Sequence, residues 1–204
     1  MLFARFISYL FHPILIPIVS ALLYFISIPN HIPKAFAYRV IGILFTATYI
    51  IPIAMLYFLK KASLIESFHL SSINERKFPI LFFTVLSLLL GKLLLQTKAI
   101  DLLAFSFFGY ASALIVVYIL FFKDIKTSLH TLGISGLIGF ISAVSYAYKL
   151  NLMIVLISLI LLFGSIATAR LKLNAHTLNE VFLGFGIGFL SQILSYTAYL
   201  SYYN

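Results

Sequence analysis

The sequence predicts an all-α fold, a polytopic bundle of about six to seven transmembrane helices, and three observations carry that prediction. The 204 residues are 63% hydrophobic and only 9% charged, with a mean hydropathy of +1.12, whereas a soluble domain is nearer half apolar and a quarter charged. Roughly seven apolar runs approach the ~20 residues that cross a bilayer as a helix. Short polar segments separate them, at a length that suits one compact bundle rather than two domains. The fold class therefore follows from composition and run length alone.

The first run, Phe6–Ile28, contains Pro13 and Pro17 and is expected to kink, since neighbouring helices can re-satisfy the backbone. It has one early cation, Arg5, and no small-residue cleavage site, so it is read as a retained span. A Pro-rich turn, Pro29–Lys34, leads to the second run, Val40–Leu59. The longest polar segment, Lys60–Lys77, follows, and Pro79 is expected to open the third run, to Leu95, as a first-turn proline. Gln96–Asp101 turns into the fourth run, Leu102–Phe122, and a polar patch, Lys123–His130, leads to the fifth, Thr131–Ala147. Leu152–Thr168 is the sixth run, Ala169–Glu180 the last polar stretch, and Val181–Tyr202 the seventh run.

Counting spans places the polar stretches. Two runs separate Lys60–Lys77 from Lys123–His130, and two more separate that patch from Ala169–Glu180, so all three emerge on one face. That face holds four of the five acids (Glu66, Glu75, Asp124, Glu180) and three of the five histidines (His69, His130, His176). The net charge is +9. Cations flanking apolar spans point to lipid headgroups or a phosphorylated lipid, and no nucleic-acid partner is expected. Cysteine is absent, which excludes disulfides and thiolate chemistry. Tyr and Phe supply the aromatic belt without Trp.

An internal echo links two runs. His130-Thr131-Leu132 and His176-Thr177-Leu178 each open a helix that soon becomes glycine-rich, with Gly133, Gly136 and Gly139 in one and Gly184, Gly186 and Gly188 in the other. Small residues let membrane helices approach closely, and such packing would bring His130 and His176 together.

These residues read as a phosphate site. Arg76, Lys126 and Arg170 can contact phosphate oxygens, arginine as a fork and lysine as a point charge. Ser128 and the free N–H groups opening the fifth run suit an anion. His176 and Glu180, four residues apart, share a helix face, so the carboxylate can orient the imidazole as a nucleophile. His130 is then placed to protonate a leaving oxygen.

The same residues resemble the motifs of the type 2 phosphatidic acid phosphatase (PAP2) superfamily of membrane lipid phosphatases. Its third motif, Ser-Arg, five residues, His, three residues, Asp, is similar to Ala169-Arg170, His176 and Glu180. Its second, Pro-Ser-Gly-His, resembles Thr127-Ser128-Leu129-His130. Its first is looser here: His69 stands at the position of the motif's lysine, followed by Arg76 and, three residues on, Pro79. The likeness covers residues 60–204 as a core of one membrane domain, 1–204, and leaves residues 1–59, the first two spans, outside it. It implies hydrolysis of a lipid phosphate monoester or diphosphate through a phosphohistidine on His176, oriented by Glu180. In that scheme Arg76, Arg170 and Ser128 hold the phosphoryl group, joined by Lys126, which has no place in the motif but is positioned to compensate, and His130 is the acid, with no metal and no cofactor. Ala169 for Ser, Glu180 for Asp and Leu129 for Gly mark a divergent branch, in which a binding or transport protein with little turnover is the alternative.

Two other readings compete. Gly133-Ile134-Ser135-Gly136 with His176 two spans later is similar to the serine and histidine of rhomboid-type intramembrane proteases. A metal shared by His130, His176 and Glu180 is opposed by the nearby cations, and Asp101 and Asp124 are too few for aspartate-based magnesium enzymes of membranes. The family implies a bacterial inner membrane. By the positive-inside rule the motif face carries nine cations against five, or six against five once Arg76, Lys126 and Arg170 are assigned to substrate, so the side stays open. Which lipid is used and the oligomeric state are left open as well.

Overall fold

The computed structural model describes residues 1–28, 32–68, 70 and 72–203. Among these described residues nine α-helices build seven helical stretches long and apolar enough to cross a membrane, so the chain is an integral membrane protein with an all-α fold. The helices are α1 (Leu2–Leu10), α2 (Ile16–Ser27), α3 (Lys34–Phe45), α4 (Ile51–Lys61), α5 (Ile73–Leu95), α6 (Asp101–Leu120), α7 (Leu129–Ala147), α8 (Met153–Lys172) and α9 (Leu178–Tyr203). His69 and the first half of the turn expected at Pro29–Lys34, residues 29–31, lie outside the described residues.

The first two spans are each broken in the middle. In the first, Pro13 opens a 3-10 turn, Pro13–Leu15, and Pro17 sits in the first turn of α2. Each missing N–H falls where a helix start has no intrahelical acceptor for it. The expected kink is thus a full break, and α1 packs separately against α8. In the second, Thr46–Ile50 forms a π-helical turn just before Pro52. Pro52 cannot donate to the carbonyl one turn back, and the ladder reorganises around that gap.

The third span corrects a sequence expectation. Pro79 does not open α5; it lies in the helix interior, seventh in the element. The start is set instead by Ser72, whose Oγ accepts from Glu75 N–H at 3.3 Å while Glu75 Oε2 accepts from Ser72 N–H at 3.1 Å. This reciprocal capping box outweighs the proline, which forfeits only one hydrogen bond in a turn already nucleated. Arg76 is consequently carried on the first turn of a helix.

α6 and α7 form the buried centre, and α8 faces outward over most of its length. The closest helix pair is α7 against α9. A Cβ at Gly184 would lie 2.6 Å from the Ser128 carbonyl oxygen and from Thr131 Oγ1, and one at Gly188 would overlap the Leu132 carbonyl. The small residues therefore set the interhelical distance, and the two His-Thr-Leu segments are drawn together by it. Gly186, on the same helix, has nothing within 4 Å of an added Cβ. Gly188→Ala is expected to destabilise the protein by about 1–3 kcal/mol, because backbone cannot yield as a side chain can. Gly186→Ala should be neutral or stabilising by up to about 1 kcal/mol through helix propensity. Thermal unfolding of both variants in one detergent checks the contrast.

Candidate active site

The spacing from Arg170 to Glu180 is the spacing of two helix caps placed back to back. After α8, Ala175 N–H bonds the Arg170 carbonyl at 3.1 Å and Asn174 N–H bonds the Leu171 carbonyl at 3.0 Å. Asn174 adopts the left-handed conformation, φ 50°. That pair of bonds is a Schellman motif, and asparagine tolerates its positive φ. Three residues later Thr177 caps α9. Its Oγ1 accepts from Glu180 N–H at 3.3 Å, and Glu180 Oε2 accepts from Thr177 N–H at 3.4 Å. This second capping box holds the carboxylate over the first turn, where His176 Nδ1–H donates to the same Oε2 at 2.6 Å. Glu180 thus reaches the imidazole in full although a shorter Asp stands in the related motif.

With Nδ1 committed to Glu180, the neutral His176 ring carries its lone pair on Nε2. The His176 side chain is only 2% exposed. Burial lowers its pKa to about 4, helped by repulsion from Arg170 and Arg76, while the Glu180 hydrogen bond and charge pull the other way. The unfolded ring takes a proton below about 6.5 and the folded one only near 4. The unfolded chain therefore binds more protons across that window, and this group's effect is a loss of stability as pH falls through it. Above the window it contributes nothing. In a histidine nitrogen NMR titration, His176 is expected to remain a neutral Nδ1–H tautomer at pH 5. Glu180→Gln, which removes the opposing charge, should move its protonation lower still.

Four of the residues singled out from the sequence meet at one cavity of about 170 Å³: His176, Arg170, Arg76 and His130. Arg76 is buried, its Nε donating to the Leu70 carbonyl at 2.7 Å and an Nη to the Thr127 carbonyl at 3.5 Å. Arg170 Nε is buried and has no hydrogen-bond partner among the described residues. No carboxylate among them lies within 4 Å of either guanidinium, and the one such ion pair is His176–Glu180. Two guanidiniums at one cavity without a carboxylate in ion-pair contact are costly to hold together.

His130 Nε2–H donates to the Ser8 carbonyl at 3.1 Å. A carbonyl only accepts, so the proton resides on Nε2 and Nδ1 is the nitrogen open to exchange.

Two of the expected phosphate ligands stand elsewhere. Ser128 is fully buried as the N-cap of α7, accepting from Thr131 N–H at 3.4 Å, while its backbone N–H donates to the Glu180 carbonyl at 3.1 Å. It joins the starts of α7 and α9 and does not line the cavity. Lys126 is half-exposed and also lies off the lining. Ala169 is buried and offers no hydroxyl. Ser135, the serine of the protease reading, is fully buried, donates to the Leu132 and Gly184 carbonyls, and does not share the cavity with His176. No group of three or more metal-ligating side chains occurs among the described residues.

The cavity also contains residues that the sequence reading had placed outside the core. His12, Pro13, Ile14, Ile16 and Pro17 come from the broken first span and Leu56 from the second. A polar residue directly before a proline inside an apolar run was the available signal for His12. From Arg76 the lining continues along α5 to Pro79, Phe83 and Ser87, about 16 Å at 1.5 Å per residue. Tyr110, bonded to Ser20 at 2.5 Å, helps to line this apolar arm. No protein-family model, curated protein or solved structure matches the chain.

Proposed function

We propose that the protein is a membrane-embedded lipid phosphatase, working in the cytoplasmic membrane of a bacterium on a lipid phosphate monoester or diphosphate without metal. The observation that carries this reading is the junction of two guanidiniums lacking carboxylate partners with a histidine held through Nδ1 by Glu180, at the polar end of an otherwise apolar cavity. The arginines suit the phosphoryl oxygens, and the arm along α5 suits an acyl or prenyl chain.

In this mechanism His176 Nε2 forms a bond to phosphorus as the P–O bond to the lipid breaks. Glu180 stabilises the charge that grows on the ring. His130, as imidazolium, gives its Nδ1 proton to the leaving oxygen, with the bound phosphate's negative charge supporting that protonated form. It returns to the neutral Nε2–H state that the Ser8 carbonyl favours. Water then attacks the phosphohistidine and its proton passes back to His130. The N–P bond breaks, and inorganic phosphate leaves. Arg76 and Arg170 are fixed where negative charge accumulates, which is the condition for electrostatic catalysis.

A second reading, a lipid-phosphate binding or transport protein with little turnover, is favoured by one observation. Ser128 and Lys126 bring no donor to the cavity, leaving two arginines where four groups were expected to converge. Phosphate release from phosphatidate and from a polyprenyl diphosphate, in detergent with chelator, for wild type and His176→Ala, separates the readings. Binding without release would sink the enzyme.

A further inference from the structure

The cavity has two ends of opposite chemistry. Arg76, Arg170, His130 and His176 gather at one, and an apolar arm runs from there between α5 and α6. Arg76 stands in the first turn of α5, and Ser87 is the deepest residue of that helix on the lining. On α6 the lining holds Leu114 and, one turn deeper, Tyr110. Gly91 packs on the Phe108 ring. In this antiparallel pair, Ser87 and Tyr110 therefore close the arm at about the same depth. Past them Phe107, Leu103 and Leu90 belong to the solid core.

We propose that the arm takes a single hydrocarbon chain of the substrate and that Tyr110, fixed by Ser20, sets how deep that chain can go. The inference rests on the phosphatase reading and adds to it a residue that determines tail length.

Two independent features support the role. The first is the room available. The cavity of about 170 Å³ falls below the range of about 300–1,000 Å³ in which proteins take drug-sized ligands. Beside a phosphate it has space for one chain and not for a pair. One wall is already closed, since a Cβ at Gly133 would lie 3.0 Å from Ile16 Cγ1 and 3.6 Å from Pro13 Cβ. From Arg76 to Ser87 the arm runs about 16 Å at 1.5 Å per residue. That is about half of a ~30 Å hydrocarbon core, the reach of a chain confined to one leaflet.

The second is the way Tyr110 is held. Ser20 Oγ–H donates to the Ile16 carbonyl at 2.9 Å. A hydroxyl has one proton, so in the 2.5 Å contact between the two side chains Tyr110 is the donor. Its proton is committed to α2, and it brings no free donor to the arm. The ring is wedged as well. Phe107 meets it edge-on with centroids 6.0 Å apart, and a Cβ at Gly136 would come within 3.3 Å of Tyr110 Cε1. An aromatic ring anchored between α2, α6 and α7 acts as a stop.

Two substitutions move that stop in opposite directions. Leu114→Phe raises it by one turn, and Tyr110→Leu removes the ring and deepens the arm. The full chain in detergent micelles is assayed for phosphate release from butyl, octyl, dodecyl and hexadecyl phosphate, with thermal midpoints recorded in the presence of each. Partition into the micelle is common to all the proteins, so the variant-to-wild-type ratio of kcat/KM at each length reports the arm. For Leu114→Phe the ratio is expected to stay near that of the wild type with butyl phosphate and to fall about 10–100-fold with dodecyl and hexadecyl phosphate. For Tyr110→Leu it should climb with chain length instead, about tenfold from butyl to hexadecyl. Lost stability would lower the ratio equally at every length. A ratio independent of chain length in either folded variant would therefore overturn the inference and leave the phosphatase intact, and Leu114→Phe alone decides if Tyr110→Leu does not fold. A wild type that releases no phosphate from any of these compounds would instead overturn the phosphatase reading. The midpoint shifts then judge the arm, which fails if Leu114→Phe responds to every chain length as the wild type does.

Discussion

His176→Ala is expected to lower phosphate release from a phosphorylated lipid by at least about 10³-fold, because it removes the only nitrogen placed to accept the phosphoryl group. The size of the effect follows from the local chemistry. Nδ1 is held by Glu180 at 2.6 Å, and burial keeps the ring neutral well below the ordinary histidine range. The lone pair on Nε2 is therefore available across the whole neutral range without a separate base. In the proposed mechanism His130 carries the proton for the leaving oxygen on Nδ1, its Nε2–H being held by the Ser8 carbonyl, so it serves as the acid and not as the nucleophile. Glu180→Gln retains a hydrogen-bond acceptor while losing the charge that stabilises the ring as it becomes cationic, so a smaller loss of about 10–100-fold is expected. Wild-type protein quenched in alkali during turnover should carry phosphate on a histidine, and His176→Ala should carry none. Undiminished release by His176→Ala would end the proposed mechanism.

The fold was legible because a bilayer imposes one length on every spanning element. Seven apolar runs could be counted in the sequence, and their order placed three polar segments on one face before any helix was positioned. Element ends were less legible, since a helix can begin in polar sequence when a cap directs it. Ser72 and Glu75 start α5 seven residues ahead of Pro79. That Ser-x-x-Glu signature was present in the sequence but was overshadowed by the proline.

The same distinction runs through the site. Arg170, His176 and Glu180 were readable because their geometry is local, a Schellman turn followed by a capping box, so sequence spacing fixes spatial relation. His130 reached the cavity through the packing of α7 on α9 at Gly184 and Gly188, and Arg76 reached it on α5, which packs against α6. Ser128 and Lys126 precede the same helix, but which way each side chain points depends on where α9 docks, and the sequence does not record that. Ser128 turned to cap α7 and bind the start of α9. His12 was hidden for the opposite reason: His130, whose ring it meets, is more than one hundred residues away, and the break at Pro13 brings it there.

Arg170→Ala is expected to reduce kcat/KM by about 10²–10³-fold, the usual cost of removing one fixed donor from a developing oxyanion. It should do so without lowering, and with some gain in, the thermal midpoint of the substrate-free protein. This combination separates a site from a structural cation. Arg170 has a buried Nε without a partner, no carboxylate within 4 Å, and a second guanidinium near enough to repel it. Its partial burial is a cost that a bound anion would offset, and removing the side chain relieves repulsion and desolvation together. Arg170→Lys keeps the charge and loses the fork, so partial activity is expected. Inorganic phosphate supplies the complementary measurement. At about 100 times its dissociation constant a ligand of the native state adds about 2.7 kcal/mol, so it should raise the midpoint of the wild type and leave that of Arg170→Ala nearly unchanged. A structural arginine would give the reverse pattern, in which the substitution lowers the midpoint and phosphate stabilises both proteins equally.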